Sequence, residues 1–371
     1  MFSVTSLGFL PFMALFACLW YRVPQPSRWK LVLAANAVFC LSIDIGAFFA
    51  VALATAVVWQ AAQHAQPEQP SRRGWLALGL AAALLPLLVL KYSGMLVPGL
   101  RDLYKPFGLA YYSLQLTGYL LDVWHGRTAP TPSYARLWCY AGFFLSLTQG
   151  PFNRYNTLMP QLEAAPKTFE TQRLVSGLQR SAWGYFKKFA IADRAAIVVS
   201  AAFADPASFD RSQLIFATVM YSFQLYADFS GYTDIVLGMG EILGLHLPEN
   251  FRQPFFSASV KELWARWHIS LSQWFRDYVY IPLGGNRKGI ARRDANLLLT
   301  FLVSGLWHGA NWTFLVWGGL HGLCQVAEDH MPAPLRKRKS LPLRIVGVPL
   351  TFAIFVTTFT IFRTSSLGNA A

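Results

Sequence analysis

Charge is scarce in this sequence. Only 13% of its 371 residues are Asp, Glu, Lys or Arg, where a soluble domain carries about 25%. That shortage argues against a water-soluble enzyme. Acidic residues are the scarcer sign, 18 against 32 Lys and Arg, and the formal net charge is +14. The four cysteines, Cys18, Cys40, Cys139 and Cys324, are scattered through apolar segments and none forms a CxxC pair. They read as small buried hydrophobes, not as disulfide or metal ligands. No GxSxG nucleophile elbow is present, which removes a serine hydrolase of that type. A soluble domain, a low-complexity tail and a clear repeat are also missing. The N-terminus has no early positive charge and no small-x-small cleavage pattern, so it reads as a first retained helix and not as a removable signal.

Apolar runs take the place of the missing charge. Hydrophobic residues make up 54% of the chain. Clear runs are Leu7–Tyr21, Leu31–Trp59, Trp75–Leu90, Leu137–Leu147, Leu214–Leu225, Leu297–Trp307, Asn311–Ala327 and Leu343–Phe362. A helix needs about 20 mostly apolar residues to cross a bilayer. The expected fold class is therefore all-α, a polytopic integral membrane protein with about ten membrane-embedded helices, forming a single membrane domain over residues 1–371. The sequence stops at "IFRTSSLGNAA", just after an apolar segment, which reads as a shortened C-terminus.

Positive charge gathers between these runs, at Arg72-Arg73, Lys187-Lys188, Arg287-Lys288, Arg292-Arg293 and the "RKRK" of 336–339. In membrane sequence such clusters mark cytosolic loops and contacts with anionic membrane lipids, not nucleic acid. Residues 152–195 are more polar, and "KTFETQRLVSGLQRSAWGYFKKFAIADR" reads as one or two amphipathic helices on the cytoplasmic surface, with Thr168 or Thr171 as a cap.

Ionisable groups in membrane sequence need a reason, and three stretches carry them. In "YSFQLYADFSGYTDIVLGMG", helical spacing puts Tyr221, Gln224, Asp228 and Tyr232 on one stripe, with Asp234 pointing elsewhere. These aspartates either tie helices together or line a polar cavity. In "VKELWARWHISLSQWFRDYVYIPLGGN", read as one helix, Trp264, Trp267, His268, Leu271, Trp274, Phe275 and Tyr278 form an aromatic stripe, with Arg266 on another face. His268 is then either a satisfied core histidine or part of a tunnel wall. Arg276 and Asp277 read as structural.

The third stretch is "FLVSGLWHGANW". Basic loops flank it on both sides, so the chain enters and leaves on the cytosolic side. From Ala295 to Trp307 there are 13 residues, about 20 Å of helix, which falls short of the roughly 30 Å hydrocarbon core. That places His308 within membrane depth, with Gly309, Ala310 and Asn311 supplying a break. Such a turn is tolerated only where protein buries it or water lines it. A metal site would need three or four close ligands, and only His268, His308 and His321 offer themselves. A neutral histidine, with its unperturbed pKa near 6.5, suits general base work. It could take the proton of a hydroxyl that attacks an acyl thioester. On these residues alone a transporter or channel ranks first; a scaffold for another protein would leave both histidines dispensable.

The long motifs narrow this. "QLYADFSGYTDIVLGMG", "ENFRQPFFSASVKELWARWHISLSQWFRDYVYIPLGGNRKG" and "GLWHGANWTFLVWGGLHG" resemble the membrane-bound O-acyltransferase (MBOAT) family, in particular its bacterial polysaccharide O-acetylation branch. "LKYSG", "KPFGLAYYSLQLTGYLLDVWHG", "TQGPFNRY" and "GYFKKFAIADR" extend the likeness over most of the chain. The resemblance implies a ring of tilted or re-entrant helices around a central tunnel in the cytoplasmic membrane. It implies His308 as catalytic histidine and His268 as the second active-site position. Asp228, Tyr232, Arg266, Trp307, Asn311 and Gln224 become tunnel or supporting residues. It also implies acetyl-CoA as the donor substrate with no bound cofactor or metal. The acyl group would pass outward to an extracytoplasmic partner of SGNH or serine-hydrolase-like fold. D-Alanyl transfer to teichoic acid is the competing chemistry within the family. Gln115, Thr117, Gln149 and Asn153 depart from the pattern and bear on acceptor or partner choice, as do the family's extra C-terminal helices, which this chain does not carry.

Overall fold

The computed structural model describes residues 3–67, 69–100, 103–164, 168–337 and 340–364. Lys339 and Arg338 of the basic run, and the chain after Thr364, lie outside the described residues. The described chain is helical throughout, with no strand; one isolated antiparallel bridge pairs Phe251 with Trp267. Its α-helices are α1 Phe9–Arg22, α2 Arg28–Ile43, α3 Ile45–His64, α4 Arg72–Leu96, α5 Leu109–Trp124, α6 Tyr134–Ala141, α7 Tyr155–Ala164 and α8 Thr171–Phe186. They continue as α9 Asp193–Ala204, α10 Arg211–Ile242, α11 Val260–Arg266, α12 Ile269–Phe275, α13 Ile290–His308, α14 Trp312–His330, α15 Ala333–Lys337 and α16 Leu341–Arg363.

Among the described residues, three helices are long and apolar enough to cross a bilayer: Ile45–His64, Arg72–Met95 and Leu341–Arg363. The apolar runs become helices, but several are short or interrupted. Helix α1 has 14 residues, about 21 Å. The long run Leu31–Trp59 breaks at Asp44, whose carboxylate accepts the Gly46 amide at 2.9 Å and caps α3. A side chain that satisfies a free N–H at a helix start ends the preceding helix as well.

The chain divides into two compact units, residues 1–185 with 232–248, and residues 186–231 with 249–371. Helix α10 runs through both. In the first unit, polar side chains lock helix ends. Buried Asn36 donates to the Cys139 carbonyl and accepts from the Phe144 amide, both at 3.0 Å, and so fixes the end of α6 against α2. Trp20 donates to the Leu243 carbonyl at 3.0 Å. Helix α8 meets α10 at Gly177 and Gly238, where a methyl on either glycine would overlap the other's carbonyl. Beside that contact Arg180 pairs with Asp234 at 3.1 Å and Ser176 donates to Glu241 at 2.5 Å. All four cysteines are free, and Cys40 and Cys139 are buried. The polar stretch 152–195 holds α7, α8, a π-helical turn at Lys187–Ala192 and the start of α9. Val175, Leu178, Trp183, Phe186 and Phe189 stand exposed along it, the apolar face expected of a helix lying in a membrane interface.

The second unit is built on aromatic packing. Trp264, Trp267, Phe301, Trp317, Phe355 and Phe359 share one buried cluster. Helices α13 and α14 form its hairpin. Gly305 on α13 and Gly309 just after its end, and Gly318 and Gly322 on α14, recur at i, i+4. A methyl on Gly305 would strike the Phe314 carbonyl, and one on Gly318 the Phe301 carbonyl. Small residues at this spacing let two backbones approach where apolar burial gives little drive, as in lipid.

Candidate functional site

His268 does not sit on a continuous helix. Helix α11 ends at Arg266 and α12 starts at Ile269, with His268 between them at φ 45° and ψ 52°. This corrects the single-helix reading of Val260–Tyr278. The left-handed region costs an L-residue about 1–2 kcal/mol, and histidine is among the residues that tolerate it. The neighbouring segment imposes the break. Asn250 accepts the Ile269 amide on its carbonyl (3.0 Å), and its side-chain oxygen accepts the Ser270 hydroxyl (2.6 Å) and amide (3.3 Å). Arg252 donates to the Arg266 carbonyl at 3.0 Å, next to the Phe251–Trp267 bridge. These bonds replace the intrahelical ones. They turn the imidazole, 2% exposed, against Phe229 at 4.7 Å between ring centroids.

His308 is the last residue of α13, and the extended Gly309 follows it. Asn311 then caps α14 by accepting the Thr313 amide at 3.2 Å. The helix has 19 residues, about 28 Å, not the 13 counted from Ala295. The added N-terminal turns hold Arg292, Arg293 and Asp294. Arg293 pairs with Asp294 at 2.8 Å, and Asp294 with His330 of α14 at 2.7 Å. Charged residues extend the helix beyond its apolar part because they find partners there.

The His308 ring is boxed by aromatics: Trp307 at 4.8 Å, Trp317 at 5.2 Å and Phe362 at 5.3 Å between centroids. Trp307 also lies 6.4 Å from His268. One indole therefore lies near both histidines. His321 is fully buried with both ring nitrogens in use. Among the described residues no three His, Cys, Asp or Glu side chains gather as a metal site would require.

A cavity of about 300 Å³ has Lys261, Trp264, Phe275, Arg276, Phe301 and Ser304 in its lining, and neither His268 nor His308 among the residues that line it. Ser304 precedes His308 by one helical turn, so the two lie on one face of α13. Lys261 is held by Asp329 at 2.9 Å and Arg276 by Asp277 at 2.8 Å. Sequence reasoning overlooked Asn250, Lys261 and Ser304. The i, i+4 relation to His308 could have revealed Ser304; nothing local marks Asn250.

The other candidates are dispersed. Asp228 pairs with Lys188 at 2.6 Å, and Lys188 also holds Asp193 at 2.9 Å, an arrangement that ties α10 to the turn before α9. Arg266 pairs with Glu262 one turn back at 2.6 Å. Gln224 lies on α10 with a buried side-chain oxygen. Tyr232 bonds Thr148 at 2.5 Å within the first unit. Gln115 and Thr117 are buried on α5, and Asn153 donates to Ser146 at 3.1 Å.

Comparison with known proteins decides the family. The sequence pattern of the membrane-bound O-acyltransferase family, MBOAT, matches residues 127–365. The chain belongs to the MBOAT family. A probable alginate O-acetylase of Azotobacter vinelandii is 35% identical across all of this chain and 76% of its own length. The peptidoglycan O-acetyltransferase of Helicobacter pylori is 31% identical over 83% of this chain and 65% of its own. A teichoic acid D-alanyltransferase of Bacillus subtilis is 28% identical over 84% of each. The protein is thus an integral membrane O-acyltransferase of all-α fold. Both histidines and the cavity fall inside the matched span.

Proposed function

We propose that this protein takes an acyl group, acetyl in the simplest case, from a cytosolic acyl-CoA-type thioester and passes it outward for O-acetylation of an extracytoplasmic polysaccharide of the alginate or peptidoglycan kind. One observation carries this reading. His308 stands in an aromatic box one helical turn beyond Ser304, and Ser304 lines a cavity whose charged side chains are Lys261, Arg276 and Asp329. Cations at a cavity suit the phosphates of such a donor. The polar and aromatic lining suits its uncharged arm.

His308 then acts as general base. Its neutral ring takes the proton of the acceptor hydroxyl as that oxygen attacks the thioester carbonyl. The carbon–sulfur bond breaks, and the thiolate leaves with the proton carried on the imidazolium. His268, fixed by the Asn250 bonds, orients the donor or steadies charge on the carbonyl oxygen. The acyl group reaches the polymer through an extracytoplasmic SGNH-type partner.

Offering the purified protein labelled acetyl-CoA and, separately, a labelled D-alanyl carrier protein tests the donor. Acetyl transfer from CoA alone is the expected result. Transfer of D-alanine alone would replace this reading with the teichoic acid chemistry, and no bond chemistry with either would point to transport.

A further inference from the structure

His321 is buried on α14, and nothing in the reaction above uses it. The Trp264 indole N–H reaches its Nδ1 at 3.2 Å. An indole nitrogen can only donate, so Nδ1 is the unprotonated nitrogen. The ring proton is therefore on Nε2, facing the Thr358 hydroxyl at 3.0 Å, and Thr358 donates onward to the Ile354 carbonyl at 2.8 Å. The chain of bonds joins α11, α14 and α16. Two turns along α14, Glu328 accepts the Val260 and Lys261 amides at 2.8 and 3.0 Å. Polar bonds from one face of α14 thus hold α11 at its start and at Trp264.

Trp264 lines the cavity, and its ring meets Phe301 at 5.3 Å and Trp317 at 5.6 Å. Without an acceptor for its N–H, a buried indole loses the bond that selects one ring orientation. We propose that His321 is a positioning residue: it holds Trp264 as the wall of the donor cavity and so sets donor affinity without touching the donor. This inference rests on the donor reading of that cavity.

Steady-state kinetics with labelled acetyl-CoA, per folded protein, test it. His321→Leu should raise KM for acetyl-CoA about five- to tenfold while kcat stays within about twofold. Trp264→Phe removes the same bond from the other side and should match it, and the double variant should be no worse than either single one. His321→Asn, whose side-chain oxygen can accept the indole N–H, should recover most of the affinity. If His321→Leu does not fold, Trp264→Phe and His321→Asn decide. A wild-type KM in His321→Leu and Trp264→Phe, with Lys261→Gln raising KM, overturns the positioning role and keeps the donor cavity. A wild-type KM in all three, with transfer still dependent on His308, overturns the donor reading and the positioning role together.

Discussion

Replacing Gly318 with alanine should loosen the α13–α14 hairpin, whereas the same replacement at Gly319 should not. In a helix interior alanine is favoured over glycine by about 1 kcal/mol, and this gain applies at both positions. The surroundings differ. A methyl at Gly318 would overlap the Phe301 carbonyl and press on the Gly305 Cα at 3.4 Å, whereas at Gly319 it meets only the Leu302 Cδ2 at 3.7 Å, an ordinary contact. Backbone atoms cannot rotate aside, so the overlap separates the helices, at a cost of about 1–3 kcal/mol. Because the propensity gain cancels between the two variants, Gly318→Ala should be less stable than Gly319→Ala by that about 1–3 kcal/mol. Denaturant unfolding in one detergent, followed by tryptophan fluorescence, measures the difference; Trp307 and Trp317 lie beside the hairpin tip. Equal stabilities, or a more stable Gly318→Ala, would refute the close-packing argument.

Four further outcomes follow from the same contacts. Asn250→Ala removes the oxygen that accepts the buried Ser270 hydroxyl and amide and releases the break at His268, so it should cost about 1–3 kcal/mol of stability, read by the same unfolding assay, and reduce acyl transfer as well. Asn311→Ala removes the cap of α14 and should cost about 1 kcal/mol, while Asn311→Asp should restore it; thermal unfolding of the pair checks this. Asp228→Asn breaks a part-exposed ion pair with Lys188, so its loss should stay below about 1 kcal/mol and shrink further in high salt. A cysteine at position 308 should react slowly with an impermeant external reagent, since Trp307, Trp317 and Phe362 crowd that half-buried site; rapid labelling would contradict it.

The helical fold and the two ends around His308 were legible from sequence. The apolar runs predicted α3, α4 and α16, and Gly309, Ala310 and Asn311 marked the break between α13 and α14. The break at His268 was not legible. Trp264, Trp267, Leu271, Trp274 and Tyr278 keep helical spacing straight through it, because the bonds that interrupt the helix come from Asn250 and Arg252, far along the chain in local terms. For Asp228 the stripe left helix-tying and cavity lining both open, and it says nothing of Lys188, which arrives from a distant π-helical turn and makes the tie. The length count for α13 missed its charged first turns for a related reason. Arg293 and Asp294 were read as loop, and their partners Asp329 and His330 come from the next helix.

The central claim is that His308 takes the acceptor's proton. His308→Ala, expressed in cells that report O-acetylation of the exported polymer, measures it most directly when protein level and unfolding midpoint are followed in parallel. The account predicts that acetylation falls at least about a hundredfold, the usual share of general base catalysis, with protein level and unfolding midpoint unchanged. Full acetylation by a His308→Ala protein present at the normal level would contradict it.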